Sequence, residues 1–172
     1  MTIALTRRAF ALVVGALLAS PALAQDLPAP TGEVVLEVTG DIQVTNRGDS
    51  AVFDLEMLQA LGEVTFETST PWTEGKQSFT GVEIAAILRA LGVSEGALKA
   101  TAINDYAIEI PVSDAVEGGP ILAYRQNGNL MSVREKGPLW VVYPYDLDQD
   151  YQSEVIFSRS IWQLVKIDVA AK

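Results

Sequence analysis

The chain of 172 residues contains no cysteine and no histidine. These absences exclude a thiolate nucleophile, an imidazole base, disulfide bonds and the usual protein ligands of zinc. A serine triad is excluded too, because no imidazole is present to accept the serine proton. Carboxylates, amides, arginines and aromatic rings remain, and these groups favour binding over bond cleavage.

Basic residues are also scarce. The chain has 12 lysines and arginines against 22 aspartates and glutamates, for a formal net charge of −10. A nucleic-acid surface would need a basic stripe, so this composition excludes nucleic acid as a partner. Binding to anionic lipid is disfavoured for the same reason. No glycine cluster opens a helix in the way that phosphate-binding loops require.

The first 24 residues have the three zones of a secretory signal peptide. Arg7 and Arg8 supply the positive zone, Ala9 to Leu18 form an apolar run, and Ala22-Leu23-Ala24 offers a cleavage site before Gln25. The run is too short to span a bilayer, which predicts cleavage and no membrane insertion afterwards. The paired arginines fit the general secretory or the twin-arginine route. We therefore predict a periplasmic protein.

The rest of the chain predicts a single domain. Residues 25–32 contain two prolines and predict a flexible lead. Residues 33–172 are sufficient to bury a core and show no second domain boundary and no internal repeat.

Hydrophobic periodicity predicts two helices among many short strands. Phe53, Met57, Leu58 and Leu61 recur at helical spacing, and a longer apolar face runs over residues 82–91. Alternating and β-branched segments predict strands at 33–39, 63–68, 99–103, 106–110, 121–124, 139–143, 154–157 and 163–169. This pattern indicates an α+β fold with a mostly antiparallel sheet.

Alternating carboxylates at Asp146, Asp148 and Asp150 resemble the start of a calcium-binding loop. The sixth position is Tyr151, where such loops need glycine, and the twelfth is Phe157, where they need glutamate. A solvated acidic turn is therefore favoured over a calcium site.

Aromatic residues gather at predicted strand ends and loops, beside hydrogen-bonding groups. Trp72 follows Thr70-Pro71, and Tyr106 follows Asn104-Asp105. Such rings could simply complete the packing of the core. As a group they also suit a flat heterocycle, because ring faces stack on the ligand while amides and carboxylates contact its polar edge. The rings concerned are Trp72, Tyr106, Trp140, Tyr143, Tyr145, Tyr151 and Trp162.

Five short blocks resemble the molybdopterin-binding domain of sulfite-oxidase-like proteins. The resemblance covers roughly residues 33–169 and implies a mostly antiparallel mixed sheet with a few short helices. The blocks are Phe79–Val82 with Ile87-Leu88, Asn104–Pro111, Ile121–Tyr124 with Asn127-Gly128, Gly137–Pro144, and Trp162–Val169.

One departure from that family is informative. Its enzymes bind molybdenum through a cysteine near the start of the domain, and the corresponding stretch here is Thr65–Thr70. The missing thiolate argues against oxygen-atom transfer. The chain is more similar to a smaller branch of exported, cysteine-free proteins that bind a free pterin. That branch regulates the outer domain of a membrane-bound partner, either a cyclic-dinucleotide enzyme or a sensor kinase.

The resemblance implies a site for a reduced free pterin without a metal. Asp105 or Glu67 would accept the adjacent N–H groups of the ring edge. Trp72, Tyr106 or Trp162 would stack on its face. The full set of candidate pterin-binding residues is Glu67, Trp72, Asn104, Asp105, Tyr106, Arg134, Lys136, Trp140, Arg159 and Trp162. The alternatives are a molybdopterin-binding oxidoreductase or oxidoreductase subunit, and an adaptor domain that has lost its ligand.

Overall fold

A computed structural model describes residues 27–171 of the chain, so the predicted signal peptide (residues 1–24) lies outside the described residues. The described part contains three short α-helices and ten strands. The helices are α1 (Leu55–Ala60), α2 (Ile84–Ala90) and α3 (Glu154–Arg159). The strands are β1 (Val34–Gly40), β2 (Ala51–Asp54), β3 (Glu63–Ser69), β4 (Lys76–Glu83), β5 (Ala97–Ala102), β6 (Ala107–Pro111), β7 (Ile121–Gln126), β8 (Asn129–Leu130), β9 (Leu139–Val142) and β10 (Trp162–Ala170).

All ten strands join one mixed sheet. Its main path runs β2-β1-β10-β9-β7-β4-β3, while β5 pairs with β10 and β6, and β8 pairs with β7. The β1–β10 pair is parallel and the other pairs between these strands are antiparallel. The predicted α+β class with a mostly antiparallel mixed sheet and a few short helices is confirmed.

The core lies against the central strands. Leu36 of β1, Leu122 of β7 and Leu164 of β10 are fully buried. Helix α2 adds Ile84 and Ile87 to the same core, which confirms the apolar face predicted there. The helix begins at Ile84, two residues later than predicted, because the preceding residues belong to β4.

Two local predictions were wrong. Phe53 belongs to β2, and α1 begins only after Asp54, whose side chain accepts a hydrogen bond from the Met57 amide at 2.9 Å. Residues 154–157, predicted as a strand, lie in α3. There the Ser153 hydroxyl accepts from the Ile156 amide, and this N-cap outweighs the preference of β-branched residues for strands.

The described part of the predicted flexible lead is attached to the domain. The Thr31 and Gly32 amides donate to Asp54 Oδ2 at 2.7 and 2.8 Å. The Asn46 side chain donates to the Pro28 carbonyl at 2.7 Å. Over residues 27–171, no helix has the length and apolar character needed to cross a membrane.

Candidate functional site

A cavity of about 270 Å³ lies where β10 begins, beside the turn between β5 and β6. It brings together four of the predicted residues, Trp72, Asn104, Tyr106 and Trp162, from segments far apart in the sequence. We call it the aromatic cavity. Its lining is Trp72, Asn104, Tyr106, Phe157, Ser158, Ser160, Ile161, Trp162 and Gln163.

The walls of the cavity are aromatic rings packed edge to face. Trp72 is the centre of this arrangement, with ring centroids 5.6 Å from Trp162, 5.9 Å from Phe157 and 5.9 Å from Trp140. Trp162 is 37% exposed, whereas Trp140 is fully buried beneath it. Trp162 therefore presents ring surface to a ligand, while Trp140 acts through packing. Such edge-to-face pairs add about 0.5–1.5 kcal/mol each beyond area burial.

Backbone hydrogen bonds join three segments at the cavity. The Ile103 amide donates to the Gln163 carbonyl, and the Gln163 amide donates to the Lys136 carbonyl, both at 3.0 Å. Asp105, Lys136 and Gln163 all have positive φ, at 63°, 73° and 55°. Left-handed backbone is uncommon outside glycine, and such strain tends to gather at functional sites. Here it orients the strand ends that carry Asn104 and Trp162.

The polar part of the lining is uncharged. Asn104 is exposed, and its Oδ1 accepts from the Tyr106 amide at 3.3 Å. Gln163 Nε2 donates to the Val133 carbonyl at 2.7 Å. Within residues 27–171, neither Asn104 Nδ2 nor Gln163 Oε1 has a hydrogen-bond partner, so a donor and an acceptor are available to a ligand edge.

Ser160 fixes the floor of the cavity through three hydrogen bonds. Its hydroxyl donates to the Ile156 carbonyl at 2.8 Å and accepts from the Tyr145 hydroxyl at 2.6 Å. Its carbonyl accepts from Trp140 Nε1 at 3.1 Å. Burial raises the pKa of Tyr145 to about 12, partly opposed by the Ser160 hydrogen bond, so the phenol remains a donor at neutral pH.

Two further predicted residues are neighbours of the cavity. Lys136 Nζ lies 5.9 Å from the Trp162 ring centroid and 5.3 Å from that of Trp140. These distances allow cation–π attraction, so Lys136 supports the tryptophan pair. Asp105 is an exposed residue of the β5–β6 turn, next to Asn104 but outside the lining.

The structure does not bring Arg159, Arg134 or Glu67 to the cavity. Arg159 donates to Asp114 Oδ2 at 2.9 Å, and the same carboxylate accepts from the Tyr143 hydroxyl at 2.7 Å. Burial, followed by this carboxylate, raises the pKa of Tyr143 far above its ordinary value. Arg134 is exposed in a short 3-10 turn, and Glu67 lines a separate groove beside β3.

Five lining residues were missed by reasoning on single residues. Gln163 lies in the block Trp162–Val169 that carries part of the family resemblance, and Ser160 and Ile161 directly precede that block, which is the signal that could have found them. Phe157 and Ser158 lie in the segment that was predicted in part as a strand, and only α3 directs them to the cavity.

Comparison with known proteins gives a family and a fold. The family model described as "Oxidoreductase molybdopterin binding domain" matches residues 41–147, more than half of the chain. The match includes Trp72, Asn104 and Tyr106 and ends before the cavity wall formed by residues 157–163. No curated protein matches the chain.

Among solved structures, the chain is similar to one in the crystal structure of the sulfane dehydrogenase SoxCD from Paracoccus pantotrophus. The TM-score is 0.58 and the sequence identity is 17%, over 80% of this chain and 38% of that one. At this identity the likeness concerns the fold alone. The chain thus spans well under half the length of that relative.

Proposed function

Because this chain belongs to the oxidoreductase molybdopterin-binding domain family, we propose that it binds a reduced free pterin without catalysing a reaction. In this proposal the protein is exported to the periplasm and signals its ligand state to the outer domain of a membrane-bound regulator. That regulator is a cyclic-dinucleotide enzyme or a sensor kinase.

The observation that carries the pterin proposal is the aromatic cavity itself. Trp72, Tyr106 and Trp162 line it with aromatic surface, on which a flat bicyclic ring can stack. Asn104 and Gln163 offer a free donor and a free acceptor for its polar edge. Stacking walls with a few converging polar groups are what recognition of a planar heterocycle requires. A neutral lining also favours a ligand part that carries no formal charge.

The residues fit the ring of molybdopterin better than its metal or its phosphate. No cysteine or histidine exists in the sequence, and residues 27–171 contain no group of three carboxylates that could hold a metal. Among residues 27–171, no lysine or arginine lines the cavity; Lys136 lies over tryptophan rings, and Arg159 is paired with Asp114. These residues therefore support a free pterin over the phosphorylated, metal-bearing cofactor.

The alternative function is a molybdopterin-binding oxidoreductase or a subunit of one. Family membership favours it, as does the likeness in fold to a sulfane dehydrogenase. The missing thiolate weighs against it, because the corresponding stretch, Thr65–Thr70, contains no cysteine.

The decisive experiment is to purify the protein from the cells that make it and extract it with denaturant. Pterin fluorescence without molybdenum is the expected result. Molybdenum together with a phosphorylated pterin would replace the proposal by the alternative. If the extract is empty, the protein is titrated with an added tetrahydropterin, and failure to bind it would leave an adaptor domain without a ligand.

Export and signalling need their own test. Cell fractionation should place the protein in the periplasm, and its mass should correspond to a chain starting at Gln25. Deleting its gene should change the output of the membrane-bound regulator, and a variant unable to bind pterin should have the same effect as the deletion. A mature chain that keeps residues 1–24 in the cytoplasm would contradict this part of the proposal.

A further inference from the structure

The outer strand β3 has a free edge. β3 pairs with β4 over all seven of its residues and ends the main path of the sheet. Within residues 27–171, no other strand pairs with it. A free strand edge exposes a row of unpaired amides and carbonyls, which are ready to pair with another extended chain.

The register shows which residues direct these groups outward. Glu67 lies opposite Ser78, whose amide and carbonyl bond to Asn127 on the far side of β4. In antiparallel pairs, hydrogen-bonded and non-hydrogen-bonded positions alternate. The Glu67–Ser78 pair is therefore non-hydrogen-bonded, and so is Thr65–Thr80 two residues along. Consequently Glu67 and Thr65 direct their backbone groups away from β4.

An independent contact at the end of β3 agrees with this alternation of inward and outward backbone groups. The Ser69 amide donates to Asp146 Oδ2 at 3.1 Å instead of to its partner residue Lys76. Asp146 follows β9 and lies at the outer edge of β3. Among the hydrogen bonds of residues 27–171, the outward amides of Thr65 and Glu67 have no comparable partner.

A groove of about 460 Å³ runs beside this edge, and we call it the β3 groove. Its apolar surface includes Phe66 and Leu147, and Leu147 is 74% exposed. The β3 groove is lined by Val64, Thr65, Phe66, Glu67, Lys76, Glu83, Gly118, Gly119, Ile121, Pro144, Asp146 and Leu147.

The charge of the β3 groove is negative. Among the described residues, its lining contains three carboxylates, Glu67, Glu83 and Asp146, and one cation, Lys76. Lys76 Nζ is 3.2 Å from Asp146 Oδ2, so its charge is matched and the other two carboxylates remain. An occupant that complements this surface carries lysine or arginine.

We propose that the β3 groove binds an extended segment of a partner protein, in which basic and apolar side chains alternate. The segment adds a strand to β3 through the outward backbone groups of Thr65 and Glu67. Because side chains alternate along a strand, its basic side chains meet Glu67 on one face of the sheet, and its apolar side chains pack on Phe66 and Leu147 on the other. This inference does not depend on pterin binding, because the β3 groove and the aromatic cavity share no lining residue.

A second copy of this chain is a poor occupant on electrostatic grounds. Pairing two β3 edges would bring Glu63 and Glu67 of one copy close to the same acidic residues of the other. Like charges facing each other across strands are destabilising. The charge pattern thus selects a basic partner segment.

The test uses a display library of random peptides, selected on the purified full chain. An enriched peptide is synthesised and its Kd measured against the wild type and four variants. Thr65→Pro removes one outward amide without removing a bond to β4, and Thr65→Val is its matched control. Glu67→Lys reverses a groove charge. Glu109→Lys makes the same charge change on β6, an outer strand that pairs with β5.

The enriched peptides should combine lysine or arginine with β-branched or aromatic residues. Thr65→Pro and Glu67→Lys should each weaken binding by about tenfold, while Thr65→Val and Glu109→Lys leave it unchanged. If Thr65→Pro does not fold, the comparison of Glu67→Lys with Glu109→Lys decides alone. The proposal is overturned if no peptide is enriched, if enriched peptides lack basic residues, or if all variants bind equally. It is also overturned if the wild type forms a dimer that Glu67→Lys dissociates.

Discussion

Replacing Trp162 by alanine removes one wall of the aromatic cavity and should weaken pterin binding. Stacking of a nucleobase on an aromatic side chain contributes about 1–3 kcal/mol, and a pterin ring is comparable in size and polarity. The expected change in Kd is therefore about 5-fold to 160-fold. Isothermal titration calorimetry with a tetrahydropterin kept under anaerobic conditions measures this change directly.

The same substitution has a cost in stability that must be separated from the loss of binding. Trp162 is 37% exposed, so its removal should cost about 2–3 kcal/mol, less than the 3–5 kcal/mol typical of a buried ring. Urea unfolding gives this value. Trp162→Phe keeps an aromatic edge against Trp72 and should fall between wild type and alanine in both measurements.

Tyr151→Ala is the matched control, because Tyr151 pairs with Tyr143 at 5.6 Å between centroids and does not line the cavity. It should lower stability and leave the pterin Kd unchanged. A folded Trp162→Ala protein that binds pterin as tightly as wild type would refute stacking on Trp162.

Three other perturbations test separate parts of the structure. Asn104→Ala should weaken pterin binding by about 0.5–1.5 kcal/mol, while Asp105→Asn should leave it unchanged. If calorimetry shows the reverse order, the Asp105 carboxylate is the group that contacts the ring edge. Asp114→Ala should lower the free energy of unfolding by about 1–3 kcal/mol, because Arg159 and the Tyr143 phenol lose their shared acceptor. Urea unfolding measures this change, and an unchanged value would show that these hydrogen bonds do not stabilise the fold. Hydrogen bonds from the Gly32, Met57 and Thr31 amides lower the pKa of Asp54 below 3.8. The contribution of Asp54 to stability is therefore complete above that pH and is lost as the pH falls through the folded-state value. The free energies of unfolding of the wild type and Asp54→Asn, measured against pH, should converge at low pH, and parallel curves would contradict the assignment.

Strands with clear alternation could be predicted from the sequence, and so could the longest helix. β1, β3 and β10 are bounded by turn residues, and their pattern has period two, which is a local property. Helix α2 was visible because its apolar face repeats at helical spacing. α3 was not, because its β-branched residues favour a strand and its cap depends on one serine, Ser153.

The site could be predicted only in part, for a physical reason. Trp72, Asn104, Tyr106 and Trp162 were identifiable as aromatic and amide residues at predicted strand ends or in loops. That Gln163 joins them depends on backbone bonds to residues far away in the chain, which no local pattern encodes. The same holds for Trp140, whose burial follows from strand pairing and from Trp72 packing above it.

The central claim is that the aromatic cavity is a pterin site without a metal. A crystal structure of the protein with a bound tetrahydropterin tests it most directly. We predict that the ring stacks on Trp162 in the aromatic cavity, with its polar edge at Asn104 and Gln163 and no metal ion beside it. A pterin bound elsewhere, or a molybdenum centre in the cavity, would contradict it.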